Sequence, residues 1–171
     1  MADADFMAEA LREARRSRAL DEFPVGAVVV LDDEVIGRGY WSGPRRLLDH
    51  AEIVALRDAE THGLTRPERR RATLYTTLEP CALCMAASMS FLLGRIVFAL
   101  EAPLDGATNL PIVWEPELGH HAASAVYTVP EVTSGVLRGE SLALLSTWAA
   151  DNPALAWAAS YVPIPEPDLR A

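Results

Sequence analysis

The spacing of apolar residues predicts a helix at the start of the chain. Across positions 3–20, apolar side chains recur at steps of three and four residues, which places them on one face of a helix. Asp3 and Asp5 stand near its start and arginines gather near its end, as the helix dipole favours. We therefore predict that the chain opens with an amphipathic helix packed on a core.

A β-hairpin is predicted directly after this helix. Over positions 25–41, two β-branched runs flank the turn residues Asp32 and Asp33. Gly37 and Gly39 fall in the second strand, where glycine indicates a bulge or a close approach of another backbone.

Helical and strand-like patterns then alternate. The predicted elements are a helix over 50–63, an arginine-rich loop, a strand over 72–79, a helix over 81–94 and a strand over 95–101. Pro80 suits the first turn of the second of these helices. Alternation of this kind is typical of a sheet covered by helices.

The last third of the chain carries weaker patterns. We predict a long loop over 102–124, a short strand over 125–129, closing helices over 141–151 and 153–162, and an extended, proline-rich tail over 163–171. Long loops in compact domains often serve as lids or binding loops. The length of 171 residues suits one domain, which we place at residues 1–162.

Composition and net charge indicate where the protein is located in the cell and which classes of partner it binds. The chain has no apolar run long enough to span a membrane, and its acidic start lacks the pattern of a signal peptide. We therefore predict a cytoplasmic protein with no membrane partner. The net charge is −9, whereas proteins that bind polyanions neutralise phosphates with lysine and arginine. Nucleic acid is thus not expected as a partner, and the basic cluster at 66–71 is predicted to be a solvated loop.

Two short motifs carry candidate metal chemistry. "DHAEIV" places His50 and Glu52 two positions apart, and "LEPCALC" places Cys81 and Cys84 three positions apart. Thiolates and neutral imidazoles are preferred ligands of zinc, and a helix N-terminus stabilises thiolates. With only two cysteines, the chain has no disulfide framework. We predict that His50, Cys81 and Cys84 bind one Zn²⁺ ion.

The other histidines decide whether the fourth zinc position is open. His62 lies more than three helical turns from His50 and is predicted to be far from the metal. His120 and His121 lie in the long loop and remain candidates. If both stay out, water occupies the fourth position, and zinc lowers its pKa towards 7. Glu52 could then take a proton from that water and deliver it to a leaving group.

The order H-x-E followed by P-C-x-x-C is the signature of zinc deaminases. The segment 24–106 resembles the cytidine deaminase-like superfamily, through "PVGAVVV", "HAEIVAL", "TLYTTLEPCALC" and "GRIVFAL". It is similar to the branch of tRNA adenosine, guanine and fungal-type cytosine deaminases. The resemblance implies a homodimer and an α/β fold, a three-layer α/β/α sandwich around a five-stranded mixed sheet. It also implies His50, Cys81 and Cys84 as zinc ligands, with Glu52 as proton shuttle.

The same resemblance implies substrate contacts. Val25 would pack against the base, and the backbone N–H of Ala51 would lie near the ring carbonyl or the attacked carbon. Relatives carry an asparagine after the glycines of the second strand, where this chain has Tyr40 and Trp41. We predict that Trp41 contacts the substrate, with packing under the long loop as the equal alternative.

The acidic charge and the missing asparagine favour a small substrate. We predict a zinc-dependent aminohydrolase that removes an amine from a free nucleobase, nucleoside or analogue. Trp114 and Trp157 are candidate walls of its pocket, with core packing as the alternative. The alternative functions are tRNA adenosine deamination, with a basic groove built by the arginines of 66–71, and a zinc-stabilised binding module without catalysis. A redox pair at "CALC" would leave His50 and Glu52 unexplained.

Overall fold

The strands form one mixed sheet with helices on both faces, in a computed structural model that describes residues 2–43, 46–109, 127–155 and 160–161. The elements are α1 (Asp3–Ala19), β1 (Gly26–Leu31), β2 (Glu34–Tyr40), α2 (Ala51–Glu60), α3 (Arg66–Arg71), β3 (Thr73–Leu78), α4 (Ala82–Phe91), β4 (Arg95–Leu100), β5 (Glu131–Thr133) and α5 (Arg138–Asp151). The strand order is β2-β1-β3-β4-β5. β1 is antiparallel to both neighbours, and the remaining pairs are parallel. The predicted three-layer sandwich with a five-stranded mixed sheet is confirmed.

The side chains of β1 alternate between the two faces of the sheet. Val28 and Val30 pack with Met7 of α1, whereas Ala27 and Val29 belong to the core that includes α2 and α4. Successive strand residues point to opposite faces, so a strand covered on both faces is apolar throughout. The run "GAVVVL" therefore reports a central strand.

The hairpin has the turn and the irregularity that the sequence predicts. Asp32 and Asp33 form the turn, with φ of 49° and 65°. Aspartate tolerates this left-handed conformation, and two such residues suit a two-residue hairpin turn. The pairing register shifts between Val29 and Val30, where Ile36 is the additional residue on β2. The predicted bulge is confirmed.

Gly39 lets the first turn of α2 lie directly on β2. A Cβ atom at this position would be 2.1 Å from the carbonyl oxygen of Ala51 and 2.5 Å from the backbone nitrogen of Ala55. Both are backbone atoms of α2, which cannot rotate away as a side chain can. The predicted close backbone approach is confirmed, and it sets the position of the helix that begins after His50 and carries Glu52.

Replacing Gly39 by alanine is therefore expected to destabilise the protein by about 1–3 kcal/mol, since α2 must move off the sheet. Urea unfolding measures this change, and zinc content should fall with it. Gly139→Ala is the matched control, because a Cβ there meets no atom within 4 Å. Equal stability of Gly39→Ala and the wild-type protein would contradict the packing role.

Two predicted elements differ from the structure. The arginine-rich segment is not a loop, because Thr65 and Glu68 form a capping box that starts the short helix α3. The strand predicted over 125–129 is not found in its described part, because residues 127–129 belong to no strand. The strand that follows β4 is β5, at Glu131–Thr133. A three-residue edge strand depends on pairing with β4, and this partner does not show in local sequence.

The end of the chain is described only in part. The predicted helix over 153–162 is absent from 153–155, and 160–161 form a short 3₁₀ turn. The rest of that segment, the tail over 163–171 and the long loop beyond residue 109 lie outside the described residues, so these predictions stay untested. The one-domain division, the homodimer and the cytoplasmic location also stay predictions. No helix in the described part of the chain has the length and apolar character needed to cross a membrane.

Candidate metal centre and active-site cavity

The sheet topology brings the two motifs to the same edge. β2 and β3 are both antiparallel to β1, so they run in the same direction and end at the same edge. His50 is the N-cap residue of α2, and Cys81 is the N-cap residue of α4. Each motif therefore stands at the start of a predicted helix, and both helices begin at this edge.

Three side chains meet there in the geometry of a zinc site. The Nδ1 atom of His50 lies 3.5 Å from the sulfur of Cys81 and 3.5 Å from that of Cys84. The two sulfurs are 3.8 Å apart. A tetrahedral zinc ion, with Zn–S of about 2.3 Å and Zn–N of about 2.0–2.1 Å, separates its sulfur ligands by about 3.8 Å and sulfur from nitrogen by about 3.5 Å. The three atoms thus match one face of a zinc tetrahedron.

The contacts among the three side chains favour the thiolate form of Cys81. A hydrogen bond from the thiol of Cys84 lowers the pKa of Cys81 to about 4. Donating that hydrogen bond, together with burial, raises the pKa of Cys84. The hydrogen bond to Cys81 raises the pKa of His50, against the effect of burial. Metals bind the thiolate form of cysteine. The low pKa of Cys81 therefore provides one sulfur ligand in its binding form, and zinc would displace the proton of Cys84.

Glu52 is buried beside this centre. Its side chain lines the same cavity as His50 and Cys81, with only 4% of the residue exposed. The hydroxyl of Thr76 donates a hydrogen bond to its Oε1 atom at 3.2 Å. Burial raises the pKa of the Glu52 carboxyl. A carboxyl group whose pKa is raised in this way holds a proton more readily than an exposed one, which suits a proton shuttle.

Of the histidines considered for the fourth ligand position, the structure describes His62 alone. Among the described residues, the ligand atoms that lie within 4.8 Å of one another come from His50, Cys81 and Cys84. His62 lies beyond the end of α2 and is not in this group, as predicted. His120 and His121 lie outside the described residues.

A cavity of about 440 Å³ opens beside the three ligands. Val25, Trp41 and Ala51, the predicted substrate contacts, all line it. The rings of Trp41 and His50 meet edge to face, with centroids 5.4 Å apart. The structure therefore brings these predicted residues together at the metal centre. Trp114 and Trp157 lie outside the described residues.

Sequence patterns missed much of the cavity wall. The additional lining residues come from segments far apart in sequence: Glu22, Phe23, Leu78, Glu79, Asp105, Trp148, Leu155 and Tyr161. The ring of Phe23 contacts those of Trp148 and Tyr161, at centroid distances of 5.3 and 5.5 Å. The hydroxyl of Tyr161 donates to Asp105 at 2.9 Å. No local spacing connects these residues, since only the fold assembles them.

Glu79 attaches the loop after β4 to the start of α4. Its carboxylate accepts hydrogen bonds from the backbone N–H groups of Ala102, at 3.1 Å, and Thr108, at 3.2 Å. The hydroxyl of Thr108 also donates to it. The attached loop carries Asp105 to the cavity. The position of Glu79 within "LEPCALC" is the sequence signal that could have identified it.

The arginines of α3 lie away from the cavity. α3 precedes β3 and the cavity follows it, and six residues of strand span about 20 Å. Arg71 binds the carboxylate of Asp32 in the hairpin turn, at 2.9 Å, and Arg69 stacks on Phe91. This cluster therefore does not build the basic groove beside the metal centre that the tRNA alternative required of it.

Comparisons with known proteins place these features in a wider group. Residues 1–100 match the family described as "Cytidine and deoxycytidylate deaminase zinc-binding region". The chain is 34% identical over 151 residues to a tRNA-specific adenosine deaminase of Bacillus subtilis, covering 85% of this chain and 88% of that protein. It is 38% identical over 144 residues to a tRNA-specific adenosine deaminase of Agrobacterium fabrum, covering 82% and 89%.

A solved structure gives the same picture. It comes from a study of A-to-I editing by tRNA:A34 deaminases at the wobble position of transfer RNA. The match has a TM-score of 0.64 and 36% sequence identity, and it covers 82% of this chain and 98% of that one. The similarity thus extends through fold and sequence together.

Proposed function

The chain belongs to the family described as "Cytidine and deoxycytidylate deaminase zinc-binding region", and within this family we propose that it converts adenosine to inosine in transfer RNA. Family membership makes it a zinc-dependent hydrolytic deaminase. The observation that carries the choice of substrate is the 34% and 38% identity, over more than four fifths of the chain, to tRNA-specific adenosine deaminases.

The prediction of a small free substrate, with nucleic acid not expected as a partner, is wrong. It depended on the net charge of −9 and on the absent asparagine. Relatives named for tRNA match most of both chains, and two such features do not outweigh that similarity. Net charge averages over the whole surface, whereas recognition of a single-stranded RNA loop depends on local contacts and stacking.

The cavity volume is compatible with an RNA substrate. A space of about 440 Å³ holds a nucleobase and its sugar but not a folded RNA. The target adenosine must therefore leave its stack and enter the cavity alone. Hairpin loops are the part of an RNA where bases turn outward most readily. An anticodon loop meets this requirement.

Each residue of the centre receives a role in this proposal. His50, Cys81 and Cys84 hold zinc, which when bound supplies the activation of water as a nucleophile. Glu52 takes a proton from the attacking water and returns it to the departing amine, which leaves as ammonia. The hydroxyl of Thr76 keeps the carboxylate of Glu52 oriented.

The predicted substrate residues complete the assignment. Val25 contributes an apolar contact to the face of the base. The backbone N–H of Ala51, at the start of α2, donates a hydrogen bond to the ring near the attacked carbon. Trp41 closes the cavity beside the base, since its ring already contacts that of His50.

An anticodon stem-loop RNA with adenosine at the wobble position provides the test. We expect the zinc-loaded protein to form inosine in this RNA, measured by nucleoside mass spectrometry, and to leave free adenine and adenosine largely unchanged. The same RNA with guanosine at that position is the control for substrate identity. Ammonia release from the free base or nucleoside, without inosine in the RNA, would contradict the proposal.

A further inference from the structure

Glu22 is an acidic residue in the wall of the cavity. Two other acidic residues of the wall are already engaged, because Glu79 accepts hydrogen bonds from the loop after β4 and Asp105 accepts one from Tyr161. In the part of the chain that the structure describes, the carboxylate of Glu22 has no hydrogen-bond or ion-pair partner. An acceptor placed on a binding cavity in this state is available to a ligand.

The segment that follows β2 defines the position of Glu22. A Cβ atom on Gly43 would lie 2.4 Å from Oε1 of Glu22, so the carboxylate lies against Gly43. The backbone N–H of Trp41 donates to the carbonyl oxygen of Val25 at 3.1 Å, which joins the two segments. The ring of Trp41 contacts that of His50 on the side of the metal centre. Trp41 thus contacts the metal centre, and the carboxylate of Glu22 lies against Gly43, two residues further along the same segment.

This placement beyond Trp41 indicates which part of a nucleotide Glu22 meets. When the amine-bearing carbon of the base lies at the metal centre, the sugar lies at the other end of the nucleoside. A carboxylate accepts hydrogen bonds and donates none, and its charge disfavours a phosphate. The ribose hydroxyls are the donors of the sugar. Acidic side chains bind ribose 2′-hydroxyls in this way in dinucleotide sites.

We propose that Glu22 accepts a hydrogen bond from the ribose 2′-hydroxyl of the target adenosine and so selects RNA over DNA. This inference rests on the proposed function, and it names a specificity-determining residue of the same site. The 2′-hydroxyl is the group that DNA lacks, so its loss should weaken turnover only while Glu22 is present.

The experiment compares two stem-loop RNAs that differ at one atom. One carries adenosine at the wobble position and the other 2′-deoxyadenosine. For the wild-type protein, we expect kcat/KM to fall about 10- to 100-fold with the deoxy substrate, as for one hydrogen bond to a charged group. For Glu22→Ala, the two substrates should agree within about twofold. Glu22→Gln, which keeps an acceptor oxygen, should retain part of the difference.

Controls separate recognition from folding. Glu34→Ala removes an exposed carboxylate from the start of β2, at the turn end of the hairpin, and should keep the wild-type ratio. Zinc content and melting temperature of each variant report its fold. A Glu22→Ala protein that keeps the wild-type ribo-to-deoxy ratio overturns this inference alone. A wild-type protein that forms no inosine in either RNA overturns the proposed function, and the inference with it.

Discussion

Replacing Glu52 by glutamine is expected to lower kcat by about 10²- to 10⁴-fold, the range by which a positioned proton shuttle accelerates a reaction. The amide has almost the same size and still accepts the hydrogen bond from Thr76, but it cannot carry the proton. Because Glu52 is buried and is not one of the three grouped ligand residues, the variant should keep its fold and its zinc. Single-turnover formation of inosine in the stem-loop RNA measures the effect.

The matched control lies on the same helix. Glu60→Gln makes the same chemical change at the exposed end of α2, where the carboxylate pairs with Arg69 at 3.4 Å. Surface pairs of this kind contribute little, so its kcat should match that of the wild-type protein. A Glu52→Gln protein with full zinc and a kcat within a few-fold of wild type would contradict the proton-shuttle assignment.

Most helices and strands were predictable because their signals are local, whereas the three-layer architecture came from the resemblance to the deaminase superfamily. The unbroken apolar run of β1 reports a strand covered on both faces, and the hairpin and the two helix starts follow from short patterns. Glycine at position 39 indicated a close backbone approach, which the contact with α2 confirms. Where pairing depends on a distant partner, as in the three-residue strand β5, the local pattern failed.

In the candidate site, too, residues in local motifs were predictable and residues assembled by the fold were not. His50, Glu52 and the two cysteines stand in short motifs with regular spacing, so the sequence predicts them directly. The apolar wall does not follow from spacing, because Phe23 and Tyr161 meet only after the chain has folded. The substrate was predicted wrongly because net charge is a property of the whole chain, whereas RNA recognition is local.

Replacing Cys84 by alanine is expected to abolish stoichiometric zinc binding and to lower the stability of the protein. Cys84 is fully buried, and its sulfur lies 3.5 Å from Nδ1 of His50 and 3.8 Å from the sulfur of Cys81. Two protein ligands do not hold zinc as three do. A ligand present at a thousand times its Kd stabilises the folded state by about 4 kcal/mol, and the variant should lose that amount. Metal analysis and urea unfolding measure the two effects.

Ser88 provides the control for this change, because it lies one turn further along α4. Its hydroxyl is buried and has no hydrogen-bond partner in the described part of the chain, so Ser88→Ala should keep both zinc and stability. A chelator separates metal loss from the cavity that the missing sulfur leaves. It should destabilise the wild-type protein and Ser88→Ala but leave Cys84→Ala unchanged, since that variant has no zinc to lose. Stoichiometric zinc in Cys84→Ala would exclude Cys84 as a ligand.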